Sequence, residues 1–280
     1  MELKLDKNRR RVSVCPCGKS NKDGKFAPFK NYDNKGYCHA CAESFFPDDG
    51  TVSAAPYKPK DTKFKLVKAT KFQDSLDSYD TNNFTSFLTK RFNTNIAKSM
   101  IEKYYLGTYG SKVIFWQIDQ NFNIRTGKMV DYNRETGKRQ GIPSWVHKYL
   151  NQSHKACLFG LHLIEDNDKP IALVESEKTA DIMGFINPYF NWLATGGISN
   201  LNKTLLEPII DREITLFPDQ GAYDIWDEKA SRIGLNYKIS NECEYWYEDG
   251  LIGAKDDIAD YYLNNFKLAH DLEYREFKSA

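Results

Sequence analysis

The sequence predicts an α/β protein: an open Rossmann-like sheet, preceded by an α+β region and, at the N-terminus, a small metal-binding ribbon. Three observations carry that reading. Two close cysteine pairs lie near the N-terminus, the middle of the chain switches from helical to strand periodicity, and three short apolar runs further on each end in a polar cluster. With 280 residues, and roughly 100–200 residues per domain, more than one domain is expected. The divisions fall at residues 1–46 for the ribbon, 47–62 for a linker, 63–168 for the α+β region, 169–265 for the sheet and 266–280 for a tail.

The ribbon follows from cysteine spacing. Four of the six cysteines form the pairs Cys15-Pro16-Cys17 and Cys38-His39-Ala40-Cys41, while Cys157 and Cys243 stand alone. Where thiols stay reduced, such pairs point to metal more than to a disulfide. Turn formers flank each pair (Pro16, Gly18, Gly36), as needed for two knuckles that present Cys15, Cys17, Cys38 and Cys41 to one structural Zn²⁺. The single residue between Cys15 and Cys17 is a tighter gap than usual, which leaves His39 as an alternative ligand.

Charge divides the chain in the same way. Residues 1–70 carry a net charge of +7 and the remainder −6, although the whole sums to +1. A basic head attracts a polyanion, and an acidic body gathers carboxylates to hold a cation; an exposed basic tail is the plainer alternative. Between the pairs, Lys19, Lys22, Lys25, Lys30 and Lys35 alternate with Phe26, Phe29, Tyr32 and Tyr37. Lysines neutralise phosphate and rings stack on bases, which suits single-stranded nucleic acid. Phe26 and Phe29 can equally serve as the core of so small a module, which leaves Lys22, Lys25 and Lys30 as the expected contacts. No apolar run nears the roughly 20 residues of a membrane span, and none follows the N-terminus as in a secretory signal. The expectation is a cytoplasmic protein with no membrane partner.

From 47 to 61 three prolines in a small, polar stretch mark the linker. Residues 75–105 then repeat apolar side chains every three and four positions (Phe84, Phe87, Leu88, Phe92, Ile96, Met100), which predicts two short helices. Residues 112–118 and 124–132, on either side of a turn at 119–123, read as the strands of an antiparallel hairpin, with cations Arg125, Lys128, Arg134, Lys138 and Arg139 on and after the second.

Beyond Lys169 the pattern is strand, helix, strand, turn, strand. Ile171-Ala-Leu-Val174, Asn191-Trp-Leu-Ala194 and Ile214-Thr-Leu-Phe217 are short apolar runs suited to strands buried on both faces, with a helix over about 178–185 after the first. They end in Glu175, in Gly196-Gly197 and in Asp219. In an open α/β sheet those ends form the binding edge, so these residues should converge. Grouped carboxylates with little basic company suit a hard divalent cation such as Mg²⁺.

The order Leu173-Val174-Glu175-Ser176-Glu177-Lys178-Thr179-Ala180-Asp181, Leu193-Ala194-Thr195-Gly196-Gly197 and Phe217-Pro218-Asp219-Gln220-Gly221 resembles the toprim domain shared by DnaG-type primases, topoisomerases and some nucleases. Upstream, Val113–Ile118, the stretch Lys148-Tyr149-Leu150-Asn151 and Leu158-Phe159-Gly160-Leu161 resemble the primase branch, of the kind found on bacterial mobile elements and phages. The cysteine segment is similar to the primase zinc module, with four Cys for the usual Cys-His-Cys-Cys. The resemblance spans roughly residues 12–265. It implies Glu175 as acid/base residue and Asp219 as a holder of catalytic Mg²⁺ or Mn²⁺. The family's next aspartate is here Gly221; Asp224 is the nearest substitute, and Asp257 and Asp260 in Lys255-Asp-Asp-Ile-Ala-Asp260 resemble the acidic patch that completes the metal site. Lys128, Arg139, Lys148 and Asn151, with Gly196 and Gly197, are the residues expected to meet nucleotide or template. The implied function is synthesis of short RNA primers on single-stranded DNA, with nucleotides as substrates and a replicative helicase as a further partner. The alternatives are a non-catalytic single-strand-binding accessory and a toprim nuclease or topoisomerase-type enzyme.

Overall fold

Turn residues shape the N-terminal unit, residues 1–62, of the computed structural model, in which residues 3–40, 43–47, 64–150, 154–165 and 167–265 are described. Strands β1 (Phe26–Pro28), β2 (Gly36–Cys38) and β3 (Glu43–Phe45) form an antiparallel sheet in that order. Ahead of it, the Cys15 N–H donates to the Lys19 carbonyl and the Gly18 N–H to the Cys15 carbonyl, both at 2.8 Å, folding Cys15 to Gly18 into a knuckle. Asn21, buried, ties the knuckle to the sheet: its amide donates to the carbonyls of Arg9, Val12 and Phe26, and its Oδ1 accepts from the Phe26 N–H at 2.6 Å. β1 and β2 approach so closely that a Cβ at Gly36 would lie 2.2 Å from the Ala27 carbonyl oxygen, which only glycine avoids. The core is Cys15, Phe26 and Cys38, with Val12, Cys17 and Phe45 against it, and Phe29 is buried too. Both phenylalanines are therefore packing residues and not stacking faces. So few side chains cannot stabilise a unit of this size alone, which is the situation in which small modules use metal. Cys41 and all of the proposed linker but Pro47 lie outside the described residues.

The second unit, residues 63–280, begins with α1 (Ala69–Gln73), α2 (Asn83–Phe92) and α3 (Thr94–Tyr104). The Asn82 side chain caps α2 by accepting from the N–H groups of Phe84 and Thr85, as an Asn N-cap does. An antiparallel meander follows, β4 (Gly107–Tyr109), β5 (Lys112–Ile118), β6 (Ile124–Tyr132) and β7 (Arg139–Trp145), paired in sequence order. The expected hairpin is its central pair. After α4 (Val146–Tyr149) come β8 (Ile171–Val174), α5 (Glu177–Ile186), β9 (Asn191–Ala194), α6 (Lys203–Leu206), β10 (Ile214–Leu216), α7 (Tyr223–Ile233), β11 (Tyr237–Ile239), α8 (Glu242–Glu248) and α9 (Ile258–Asn265). These four strands form an all-parallel sheet in the order β11-β10-β8-β9.

Alternate residues of β8 enter different cores, which is why its sequence is continuously apolar. Ala172 and Val174 join α5, Trp192 and the meander residues Phe115 and Val130, whereas Ile171 and Leu173 join Ile214, Leu216 and Trp226 of α7. All four are fully buried, and burial of a side chain such as Ile or Leu contributes about 1.5–3 kcal/mol. The first of these cores runs from Phe84 of α2 through β5 and β6 to α5, so residues 63–168 and 169–265 share one interior. The Tyr104 hydroxyl adds to this by donating to the carbonyls of Ala180 and Trp192, each at 3.0 Å. The boundary expected near residue 168 is thus a change of sheet inside a single packed body. The tail 266–280 lies outside the described residues.

Candidate active site

β8 and β10 are parallel neighbours, but β8 continues to β9 on one side and β10 to β11 on the other. Their connections leave in opposite directions and open a crevice at the carboxyl ends of the strands. Glu175 follows the last residue of β8, and Asp219 lies three residues past the end of β10. The β9 turn is tied alongside: the N–H groups of Thr195 and Gly196 donate to the carbonyls of Val174 and Glu175 at 3.0 and 2.9 Å. The resulting cleft, about 290 Å³, is lined by Glu175, Glu177, Lys178, Gly196, Asp219, Lys255 and Asp257, and across from them by Lys128, Tyr132 and Arg139 of the meander. A larger groove of 530 Å³ between α2 and α3 has no comparable convergence of charge, so chemistry rather than volume selects the site.

Two partly buried ion pairs cross this region. Lys128 Nζ lies 2.8 Å from Glu177 Oε2 and 3.2 Å from the Gly196 carbonyl oxygen, and Lys178 Nζ lies 2.9 Å from Asp260 Oδ1. Asp257 Oδ2 accepts from the Thr179 hydroxyl at 2.5 Å, and its Oδ1 accepts from the Asp260 N–H at 3.0 Å. Gln220 fastens the loop before α9 to the end of β10: its N–H donates to the Asp256 carbonyl and its Oε1 accepts from the Lys255 N–H, both at 3.0 Å.

Burial and crowding set the electrostatics. Burial, joined by repulsion from Asp257, Glu175 and Asp260, pushes the Asp219 carboxyl up to about 9 against the pull of Lys178. Burial also raises Glu175, opposed by the Ile198 N–H, Lys128 and Arg139. Asp257 is raised by burial as well. Asp219 Oδ1 and Glu177 Oε1 are buried without any hydrogen-bond partner. An acidic cleft with orphaned oxygens fits a divalent cation, because a cation relieves the repulsion and fills the empty acceptors. Among the described residues no three carboxylates bring oxygens within 4.8 Å of one another.

The residues predicted from sequence divide accordingly. Glu175, Asp219, Asp257, Lys128, Arg139 and Gly196 line the cleft, Gly197 follows the turn at its rim, and Asp260 joins through Lys178. Asp224 does not: α7 turns Ala222, Trp226 and Ala230 inward, which leaves Asp224 exposed on the other side. Gly221 is exposed with φ +78°, and its N–H donates to Glu244 Oε1 at 2.8 Å, so the carboxylate beside that position is that of Glu244 and not of a residue at 221. Lys148 is exposed on α4 and outside the cleft, because α4 packs Val146 and Leu150 against the meander core. Lys128, expected at phosphate, is paired internally with Glu177, and its strand neighbour Arg125 is paired with Asp119 at 2.5 Å. Asn151 lies outside the described residues. Sequence reasoning missed Glu177, Lys178, Tyr132 and Lys255. The Glu-Ser-Glu-Lys spacing carried the signal for two of them, since a helix starting at 177 turns its first residues back toward the strand end.

In the N-terminal unit, the thiols of Cys15, Cys17 and Cys38 lie within 4.8 Å of one another. Burial pushes the Cys15 thiol up, with Cys17 and Cys38 adding to it. Three clustered, mostly buried thiols fit Zn²⁺. His39 is not in this cluster; its ring meets Tyr37 edge-on at 4.8 Å. Lys22, Lys25 and Lys30 are exposed.

A family model described as a domain of unknown function (DUF6371) matches residues 82–220. No curated protein matches the chain. Among solved structures, the primase fragment of the bacteriophage T7 primase-helicase protein is similar at a TM-score of 0.47 and 20% identity, covering 95% of this chain and 97% of that one. The RNA polymerase domain of Mycobacterium tuberculosis primase DnaG is similar at 0.45 and 12% identity, covering 74% and 81%. A DNA primase domain from Pseudomonas aeruginosa is similar at 0.32 and 15% identity, covering 62% and 64%. All three are primases or parts of them.

Proposed function

We propose that the protein is a primase-like nucleotidyltransferase that builds short RNA primers on single-stranded DNA at a toprim-type site, in the replication of a mobile element or phage. The observation that carries this reading is the delivery of Glu175 and Asp219 by adjacent parallel strands to one acidic cleft, where Asp219 Oδ1 is left without a partner. Asp219, with Glu175 and Asp257, would hold Mg²⁺ or Mn²⁺, which when bound supplies neutralisation of phosphate charge. The 3′-hydroxyl of the growing strand attacks the α-phosphorus of the next nucleotide, the bond to the bridging oxygen breaks, and pyrophosphate leaves. Glu175 takes the hydroxyl proton, and its raised proton affinity suits it to that task. Arg139 and Lys255 at the rim meet phosphate, while Lys128 keeps Glu177 and the Gly196 turn in place. Zinc at Cys15, Cys17 and Cys38 would fix the ribbon that offers Lys22, Lys25 and Lys30 to the template. A replicative helicase remains the proposed further partner.

The test is incubation with single-stranded DNA, labelled ribonucleotides and Mg²⁺. New short RNA supports the reading, degraded DNA would turn it into a nuclease on the same site, and binding without product would leave a single-strand-binding accessory.

A further inference from the structure

Lys178 occupies a place that is unfavourable to a cation twice over. It is the second residue of α5, where the helix dipole favours negative charge, and its side chain is only 12% exposed. It is held there by the 2.9 Å pair with Asp260 and by the nearby negative charges of Asp257 and Asp219. Unlike a bound ion, this charge cannot dissociate. The other acids are similarly committed: Glu177 to Lys128, and Asp257 to the Thr179 hydroxyl and the Asp260 N–H. The buried oxygens left over are Asp219 Oδ1 and Glu177 Oε1, and Glu177 is 2% exposed. The acids Glu175, Glu177, Asp219, Asp257 and Asp260 outnumber the cations Lys128, Lys178, Arg139 and Lys255, and of those cations Lys128 and Lys178 are paired directly with acids of the cleft.

We propose that the Lys178 ammonium serves as a built-in second cation of the cleft, so that the site takes one divalent ion, facing Asp219, and not a pair. This rests on the metal-dependent reading above and makes Lys178 a positioning residue: it holds Asp260 and Asp257 where a second ion would otherwise have to.

The experiment is a Mn²⁺ titration of the zinc-loaded full chain, read by electron paramagnetic resonance of free Mn²⁺ with no DNA or nucleotide present. One Mn²⁺ per chain is expected, lost in Asp219→Asn. Lys178→Met, which keeps the aliphatic stem, should bind a second Mn²⁺ and tighten the first by roughly tenfold, the order expected for removing a like charge nearby; Lys178→Arg should stay at one. Melting of Lys178→Met should also rise more on adding Mn²⁺ than that of the wild type. Two Asp219-dependent ions in the wild type, or one unchanged ion in Lys178→Met, would overturn the proposal while leaving the catalytic reading standing. No Asp219-dependent ion at all would overturn both. Should Lys178→Met not fold, the wild-type stoichiometry decides alone.

Discussion

In the N-terminal unit three thiols lie within 4.8 Å of one another, whereas among the described residues of the cleft no three carboxylates do. Each arrangement matches the chemistry of its ligands. On the proposed reading soft thiolates hold a structural ion, and they are gathered by one knuckle and one strand and packed with Phe26. Hard carboxylates that on the same reading admit phosphate and water stand further apart, with Lys128 paired to Glu177 and Lys178 to Asp260. That reading makes the thiol cluster a folding device and the carboxylate cleft a site whose repulsion is left for an ion to relieve.

That contrast is most sharply tested at the cleft. Glu175→Gln and Asp219→Asn should each lower primer synthesis by about 10²-fold or more with single-strand affinity nearly intact, measured by turnover beside a binding titration. If instead both variants unfold, the carboxylates are structural and the contrast fails. Next in size is the loss of zinc. Chelation, or Cys15→Ser, should loosen residues 12–46 while the second unit keeps its own melting transition, as followed by circular dichroism and metal analysis; Cys157 and Cys243 should be dispensable. A wild-type protein containing no zinc would end the comparison on that side.

A third, smaller effect separates a buried acid with no ion to serve from those of the cleft. Asp181 is fully buried with neither oxygen hydrogen-bonded, and burial pushes it up to about 8, only partly offset by Lys103. Between its ordinary value of 3.8 and about 8 the folded chain therefore keeps a proton that the unfolded chain has lost, so stability falls as pH rises through that window and levels off above it. Denaturation at several pH values should show a shallower fall for Asp181→Asn, and Mg²⁺ should leave this contribution unchanged. The smallest effect concerns the ribbon's exposed cations. Replacing Lys22, Lys25 and Lys30 by Ala should reduce the log–log salt slope of single-strand binding by about 0.7 per lost contact. An unchanged slope would leave those lysines merely solvated.

Much of the scaffold was legible beforehand because its signals are local. The central hairpin was read to the residue, since the apolar run over 112–118 and the turn residues between it and 124–132 are local signals. Three of the four parallel strands were found because burial on both faces demands unbroken apolar runs, whereas β11, an edge strand with no buried residue, gave no such run. Glu175 and Asp219 followed from their position at strand ends. Asp224 was misplaced for want of the phase of α7, which depends on Trp226 and Ala230 finding their core. Lys128 was assigned to phosphate because nothing in its own strand announces Glu177, 49 positions later, as its partner.

The amino-acid sequence by itself determined the central hairpin, the helices α2, α3 and α5, the apolar strands β8, β9 and β10, that Cys15, Cys17 and Cys38 group, and which carboxylates stand at strand ends. Periodicity, turn chemistry and spacing all act within a few residues. Only the tertiary structure decided that β8 neighbours β10, that one interior joins the meander to the parallel sheet, and that two of the cleft's cations are committed to internal pairs. Those outcomes depend on contacts between residues far apart in the chain, whose energies are realised only after the topology has brought them together.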